Sequence, residues 1–320
     1  MSKKQESCGS FKTMCGGQAL IEGIMMRGPA KQAIVVRRPD GGMEIKEEAL
    51  ELVKDKHPIL GVPFIRGTVN FLDSMVKGVK ALMFSADFYP DDETEGEPSK
   101  FDAFLEKHLG SEKAMSAVIT LAVAMGLLFS VGLFFVLPTL LTNLVAPLIK
   151  NHLLLNLVEG GVRILIFLTY LILCSRMKDI KRVFAYHGAE HKTIFCYERG
   201  LPLTVENVRK MPRHHPRCGT SFLFVIMIVS ILVYALLGFT GVNPILKMAI
   251  RLLLLPVIVG ITYEINRFVG RHDNWFTRII TAPGLWLQNW TTNEPDDTMI
   301  EVGIKALELV LPEEKGKDQW

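Results

Sequence analysis

The sequence predicts an α-helical integral membrane protein with four transmembrane helices, a small α+β cytosolic N-terminal module and a cytosolic C-terminal helix. Three observations lead to this class. Of the 320 residues, 49% are hydrophobic, and the mean hydropathy of +0.27 fits a soluble part combined with a few spans. Four apolar segments are long enough to cross a bilayer. Lys and Arg are concentrated on one side of these segments.

Each apolar segment has the length and low charge of a membrane-spanning helix, which needs about 20 mostly apolar residues. The segments cover about 114–137, 157–175, 220–239 and 245–268. In the second, Glu159 and Arg163 have the spacing of neighbours on one helix face. That spacing predicts a structural pair that neutralises its own charge.

Lys and Arg are unevenly distributed around these segments. Segment 176–218 carries ten of them, whereas 139–152 and 240–247 carry one each. Cytoplasmic loops of membrane proteins are enriched in Lys and Arg. The N-terminal region, the 176–218 loop and the C-terminus are therefore all expected in the cytoplasm, at an inner or plasma membrane.

The chain is predicted to contain seven parts in order. They are a disordered tail (1–14), a cytosolic α+β module (15–86), an acidic linker (87–100), spans one and two (101–175), a cytosolic loop (176–218), spans three and four (219–270) and a cytosolic or interfacial C-terminal region (271–320). The linker DFYPDDETEGEPSK is acidic and almost free of aliphatic residues, a composition typical of solvated chain.

Three local patterns lie in the soluble parts. Residues 33–46 are predicted to form a β-hairpin with a Pro-Asp-Gly turn, followed by a short helix over 47–54. Residues 63–85 have helical apolar periodicity, and this amphipathic helix is expected either to pack on the module or to lie on the membrane surface. Residues 295–311 predict a C-terminal helix.

Composition and charge bear on two further points, nucleic-acid binding and the redox state of the cysteines. The net charge of +3, without an arginine-rich or aromatic-interleaved basic stripe, argues against nucleic acid as a partner. The five cysteines are scattered and odd in number, which predicts reduced thiols in the cytosol.

The cytosolic loop carries two close pairs of zinc-type ligands, His187 with His191 and His215 with Cys218. A helical i, i+4 spacing places the first two imidazoles on one face, as two ligands of one metal require. Glu190 completes the order H-x-x-E-H, in which the glutamate acts as a general base in inverted zinc proteases. Glu264, near the cytosolic end of span four, is a candidate further ligand.

Three interpretations of this cluster remain open. It could be a catalytic metal site with an open position, with Glu190 as the base. It could be a closed structural zinc site made by His187, His191, His215 and Cys218. The histidines could instead bind lipid phosphates or nearby carboxylates. The carboxylate beside the first pair favours the catalytic interpretation, because a closed site does not need it.

The glycine-rich segment 15–29 is the other unusual stretch. It lacks the lysine of a phosphate-binding loop and the spacing of a dinucleotide-binding motif. We expect a tight packing turn before the hairpin. If the segment does line a site, Glu22, Arg27 and Arg66 are its polar candidates.

Several sequence blocks resemble the YqhQ-like bacterial membrane proteins, a family built on a domain of unknown function and predicted to be metal-dependent enzymes. The blocks are GGQALIEGIMMRGP, LGVPFIRGTVNF, YHGAEHKTIFCYE, HPRCGTSFL and PGLWLQNWTTNEPDD. They occur in order and span nearly the whole chain. The resemblance implies a bacterial inner-membrane protein and does not supply a reaction.

Two functional hypotheses follow from the sequence. The first is a membrane-embedded, metal-dependent hydrolase, with a divalent metal such as zinc, acting on a lipid-linked or membrane-associated substrate at the cytosolic face. The second is a zinc-stabilised membrane scaffold that recruits a protein partner without catalysis. A transporter is disfavoured, because the predicted spans have little polar lining.

Overall fold

The computed structural model describes residues 11–51, 57–89, 111–238, 243–272, 274–314 and 316–319. The chain is mostly helical, with one antiparallel sheet near the N-terminus in the order β1-β2-β3-β4. The strands are β1 (Gly16–Leu20), β2 (Gly23–Arg27), β3 (Lys31–Arg37) and β4 (Met43–Ala49).

The helices are numbered in chain order. They are α1 (Ile65–Ala86), α2 (Ser111–Val131), α3 (Leu137–Val145), α4 (His152–Ser175), α5 (Lys178–Glu198), α6 (Val205–Arg209), α7 (Gly219–Leu237), α8 (Pro244–Arg271), α9 (Trp275–Thr291) and α10 (Asp297–Val310). The chain forms two compact units. Unit 1 comprises Met1–Tyr89, Leu171–Ser230 and Leu254–Trp320, and unit 2 comprises Pro90–Tyr170 and Ile231–Leu253.

The sheet of unit 1 contains the predicted hairpin and a second one. Strands β3 and β4 pair antiparallel with Arg37 opposite Met43, which confirms the hairpin. The sequence predicts a tight packing turn in the glycine-rich segment, and this prediction was incomplete. The segment forms two strands, β1 and β2, which are joined at Glu22, where φ is 48°. The predicted helix over 47–54 was wrong at its start, since β4 continues to Ala49. Residues 52–56 lie outside the described residues.

The two faces of the sheet are covered by different helices, because alternate side chains of a strand point to opposite faces. On one face, Ile24 and Val35 lie in a core with residues of α5 and α10. On the other face, Met25 and Ile34 pack with Ala81 of α1. The core of unit 1 therefore joins elements from both ends of the sequence.

The predicted amphipathic helix is confirmed as α1, but its small residues face the protein. The residues that it buries are Gly67, Gly78, Ala81 and Ser85. Its large apolar side chains are exposed instead and form a stripe of Ile65, Leu72, Met75, Val76, Val79 and Leu82. We call this set the α1 apolar stripe.

Four segments are helical, long and apolar enough to cross a membrane: Ala117–Leu148, His152–Ser175, Gly219–Leu237 and Leu246–Arg271. The first is longer than predicted. It continues through a π-helical turn (Gly132–Val136) into α3, which accommodates Pro138 in its first turn.

The composition of 176–186 predicts that the helix carrying His187 continues from the second span, and Gly200 before Leu201 and Pro202 predicts its end. The structure differs at the start of this helix: α4 ends at Ser175, and Met177, with an extended ψ of 138°, separates it from α5. The predicted end is confirmed, because Gly200 has a φ of 66°, which favours glycine and ends the helix. The C-terminal helix is also confirmed as α10, capped by the Asp296 side chain.

Candidate metal centre

Three of the predicted ligands meet in unit 1. His187 and His191 lie one turn apart on α5, and Cys218 lies directly before α7. One possible ligand atom from each side chain lies within 4.8 Å of the other two. The Nε2 atom of His187 is 3.1 Å from the Cys218 sulfur, and the two imidazole rings are 4.4 Å apart.

Backbone carbonyls hold both imidazoles in this orientation. The Nδ1 atom of His187 is 2.7 Å from the Thr291 carbonyl oxygen, and the Nδ1 atom of His191 is 2.5 Å from that of Arg213. A carbonyl can only accept a hydrogen bond, so each Nδ1 carries the proton when the ring is neutral. The Nε2 lone pairs are then directed toward the sulfur, as in metal-binding histidines.

His191 Nε2 is a buried polar atom without a hydrogen-bonding partner among the described residues. Buried polar atoms are almost always paired, and an exception calls for an explanation such as an ion. His191 belongs to the same three-residue group of possible ligands as His187 and Cys218. The donor set therefore has a free lone pair where a metal ligand would need one.

Glu190 lies on the same helix and is also buried. The backbone amide of Gly17 in β1 donates a hydrogen bond of 2.8 Å to its Oε1 atom. Burial raises the pKa of the Glu190 carboxyl, although the neighbouring imidazoles act in the opposite direction. A carboxyl with a raised pKa next to three donor atoms is a candidate for proton exchange at this site.

The electrostatics of the pair His187 and Cys218 favour charge separation. Burial by itself raises the pKa of the Cys218 thiol, but His187 and His191 outweigh burial and hold that pKa well below its usual value. Burial lowers the pKa of His187, but the nearby Cys218 sulfur raises it to about 9. Both shifts favour a thiolate next to an imidazolium when no other cation is present. A metal ion at this place would displace the imidazolium proton.

His215 and Glu264 are not brought to the other three donors. The Nε2 atom of His215 lies 3.6 Å from Glu198, and burial lowers the pKa of His215 to about 4. Its ring packs 5.5 Å from the His191 ring, so it supports that ligand from the side. Glu264 forms a bidentate pair with Arg66, at 2.8 and 2.6 Å, which engages both of its oxygens.

The polar candidates of the glycine-rich segment also have other partners. Glu22 pairs with Arg182 and accepts a hydrogen bond from Tyr186. Arg27 donates to Ser74. Of these contacts, the one that joins the glycine-rich segment to the site is made by the Gly17 amide. It is a backbone contact, which a pattern of side chains in the sequence could not have indicated. The same holds for the Thr291 and Arg213 carbonyls.

The fold and the site define a mostly helical protein with four candidate membrane spans and a buried His/Cys cluster. Residues 62–313 match the family described as "Protein of unknown function (DUF1385)". The chain is also 35% identical over 304 residues to "Uncharacterized protein YqhQ" of Bacillus subtilis (strain 168), and the match covers 92% of each chain. The chain belongs to this family, which confirms the resemblance seen in its sequence blocks. No solved structure matches it.

Proposed function

We propose that this protein is a metal-dependent hydrolase at the cytosolic face of a bacterial inner membrane. One observation carries the proposal: the buried, unpartnered Nε2 atom of His191 next to His187 and Cys218. Two imidazoles and a thiolate are typical zinc ligands, and sites with three protein ligands keep a position for water or substrate. When bound, zinc supplies a Lewis acid and a water of lowered pKa.

The residues around this position have separate tasks in the proposal. His187 and His191 present their Nε2 atoms, because the Thr291 and Arg213 carbonyls hold Nδ1. Glu190 would act as a general base that accepts a proton from water and, once protonated, as the general acid that passes it to the leaving group. The Gly17 amide fixes one oxygen of that carboxylate.

A membrane location is supported by two features of unit 1. Cys218 directly precedes the candidate span Gly219–Leu237, so the site lies at one end of a candidate span. In addition, α1 packs along part of α8, where Thr68 donates to the Pro256 carbonyl at 2.6 Å. The α1 apolar stripe is then next to a candidate span and is exposed. We propose that lipid covers this stripe and that the substrate is lipid-linked or membrane-associated.

A second candidate is a zinc-stabilised scaffold that binds a protein partner without catalysis. It is favoured by the number of segments that meet at the site. The ligands come from α5 and the start of α7, and the carbonyls that orient them come from the end of α9 and the loop before α7. A metal that joins these segments would stabilise the fold even without a reaction.

Metal content followed by one substitution tests both candidates. The purified full-length protein should carry about one equivalent of zinc-type metal by elemental mass spectrometry. His191→Ala and Cys218→Ser should lose most of it, and His272→Ala, at the exposed end of α8, should keep it. If neither the purified nor the zinc-treated wild type holds metal, both candidates fail.

Glu190→Gln separates them. It keeps the size of the side chain and an acceptor for the Gly17 amide. A hydrolase predicts that this variant keeps its metal and thermal midpoint and no longer complements a deletion strain. A scaffold predicts that complementation is retained.

A further inference from the structure

Unit 2 contains a buried group of charged side chains that includes none of the candidate metal ligands. It comprises Glu159 and Arg163 on α4 with Lys247 and Arg251 on α8, and we call it the basic cluster. The side chains are only 2% (Glu159), 7% (Arg163), 14% (Lys247) and 3% (Arg251) exposed. Both helices belong to candidate membrane spans, where ionisable residues are costly and usually functional.

The expected pair of Glu159 and Arg163 is present at 3.7 Å, but Glu159 has a closer partner in Arg251. Arg251 contacts both oxygens of Glu159, at 2.9 Å from Nη2 to Oε2 and with a second contact from Nη1. Lys247 lies 3.1 Å from the same carboxylate. Arg163 is 3.7 Å away and donates instead to the Phe134 carbonyl at 2.9 Å.

The charges of the basic cluster do not balance. One carboxylate faces three cations, which leaves a net charge of +2 in a largely buried group. Glu159 has no capacity left, because its oxygens already accept from Arg251, Lys247 and Thr139. Uncompensated buried charge is strongly unfavourable. Among the described residues, the cluster therefore has no second anion to balance its three cations.

Arg251 also has a hydrogen-bond donor that is not used. Its Nε atom is buried and has no hydrogen-bonding partner among the described residues, and the residue as a whole is 2% exposed. Arg251 and Arg163 line a narrow, open-sided cleft together with Asn156 and Tyr234, and this cleft must widen to admit an ion. An unpaired guanidinium N–H at an electropositive cleft is a binding feature for an anion.

We propose that the basic cluster binds a phosphate group. Two guanidinium groups and an ammonium match the charge of a phosphate, and the unpaired Nε–H of Arg251 is a charged donor of the kind that binds phosphate oxygens. Glu159 lies seven residues into α4, about 10 Å along the helix from its start. Both the headgroup of an anionic lipid and free inorganic phosphate offer this chemistry. The proposal does not depend on the metal centre.

Thermal unfolding of the full-length protein in detergent tests the proposal. One arm compares added phosphatidylglycerol with phosphatidylcholine, and the other compares inorganic phosphate with chloride at equal ionic strength. Occupancy of the site should raise the thermal midpoint by at least about 3 °C in one arm. A rise in the first arm identifies a lipid headgroup, and a rise in the second identifies free phosphate.

Two variants assign the effect to the cluster. Lys247→Gln and Arg163→Gln each remove one of the excess cations, and Lys150→Gln is the matched control, an exposed lysine shortly before α4. The first two should lose the rise and the control should keep it. Without anion, Lys247→Gln should unfold no earlier than the wild type, whereas a purely structural lysine would give a lower midpoint. No rise in either arm, or an undiminished rise in both variants, overturns the proposal.

Discussion

The amide of Gly17 donates a hydrogen bond of 2.8 Å to the carboxylate of Glu190, across 173 residues of sequence. It joins the first strand of the sheet to the histidine-bearing helix α5. The position is glycine for a steric reason. A Cβ atom on Gly17 would lie 2.5 Å from the Met25 carbonyl oxygen and 2.9 Å from the Met26 sulfur.

Gly17→Ala should therefore destabilise unit 1 and displace Glu190. The strand backbone cannot yield to a contact of 2.5 Å with a carbonyl, so we expect a loss of about 1–3 kcal/mol in the free energy of unfolding. Gly16→Ala is the control in the same strand, because nothing lies within 4 Å of its added Cβ. Denaturant unfolding of both variants checks this. Equal stability of the two would show that the strand can shift away from Glu190.

The stability of the protein should depend on His215 in acid. Burial holds the pKa of His215 at about 4, below the value of about 6.5 in an unfolded chain. Between these values the unfolded state binds a proton that the folded state does not, so stability is lost as the pH falls from about 6.5 toward 4.

His215→Gln should weaken this dependence by up to about 1.4 kcal/mol per pH unit. The measurement is the difference in unfolding free energy between wild type and variant across this range. Using the difference cancels the titration of Glu190, whose raised pKa acts with the opposite sign. Parallel curves for the two proteins would contradict a depressed pKa at His215.

Glu159→Gln should be among the most destabilising single changes in unit 2. It removes the only carboxylate of the basic cluster and leaves three cations facing each other, for which we expect a loss of about 3–5 kcal/mol. Glu206→Gln, which breaks an exposed pair with Lys210, is the control and should change the stability little. Thermal midpoints in detergent compare them. A Glu159→Gln protein as stable as the control would mean that the cations are solvated.

The α1 apolar stripe should be sensitive to polar substitution if lipid covers it. Leu72 is 55% exposed, and in water Leu72→Gln would change stability by no more than about 0.5 kcal/mol. In lipid the same change places an amide in hydrocarbon and should lower both the membrane yield and the thermal midpoint in bilayers. Lys80→Gln, also exposed on α1, is the control and should have little effect. A harmless Leu72→Gln would place the stripe in water.

The proposed orientation can be checked with reporter fusions. A reporter joined after residue 320 should be cytoplasmic, and one joined after residue 150 of a shortened chain should be external, since segment 176–218 carries ten Lys and Arg. An external C-terminal reporter would move the metal centre to the other side of the membrane.

Local pattern predicted most helices of this fold, and long-range contacts decided the rest. Periodicity located α1 and α10, and turn chemistry located the hairpin of β3 and β4. Strands β1 and β2 were missed because GGQAL and GIMMR contain glycines and few β-branched residues. Met177 separates α4 from α5 by its backbone conformation, in a stretch whose composition fits a helix.

The sequence indicated which side chains could be metal ligands, but it did not indicate which of these side chains meet in the fold. The spacing of His187, His191 and Cys218 was sufficient to propose a common metal. His215 was an equal candidate, and only the position of Glu198 shows that its ring is engaged elsewhere. Glu264 is a candidate ligand in the sequence because it is an acid near the end of a span. Its partner Arg66 lies 198 residues away, so no local pattern could indicate that both oxygens are engaged.

The sheet of unit 1 has a consequence for the order in which the protein is made. Strands β2 and β3 leave the ribosome early, but the side chains Ile24 and Val35 are covered by α10, near the end of the chain. All four candidate spans are translated in between. A growing chain therefore exposes part of this apolar face until α10 follows the four candidate spans, the kind of intermediate that aggregates or recruits chaperones. A nonsense mutation shortly before codon 297 would leave this face without the cover that α10 supplies.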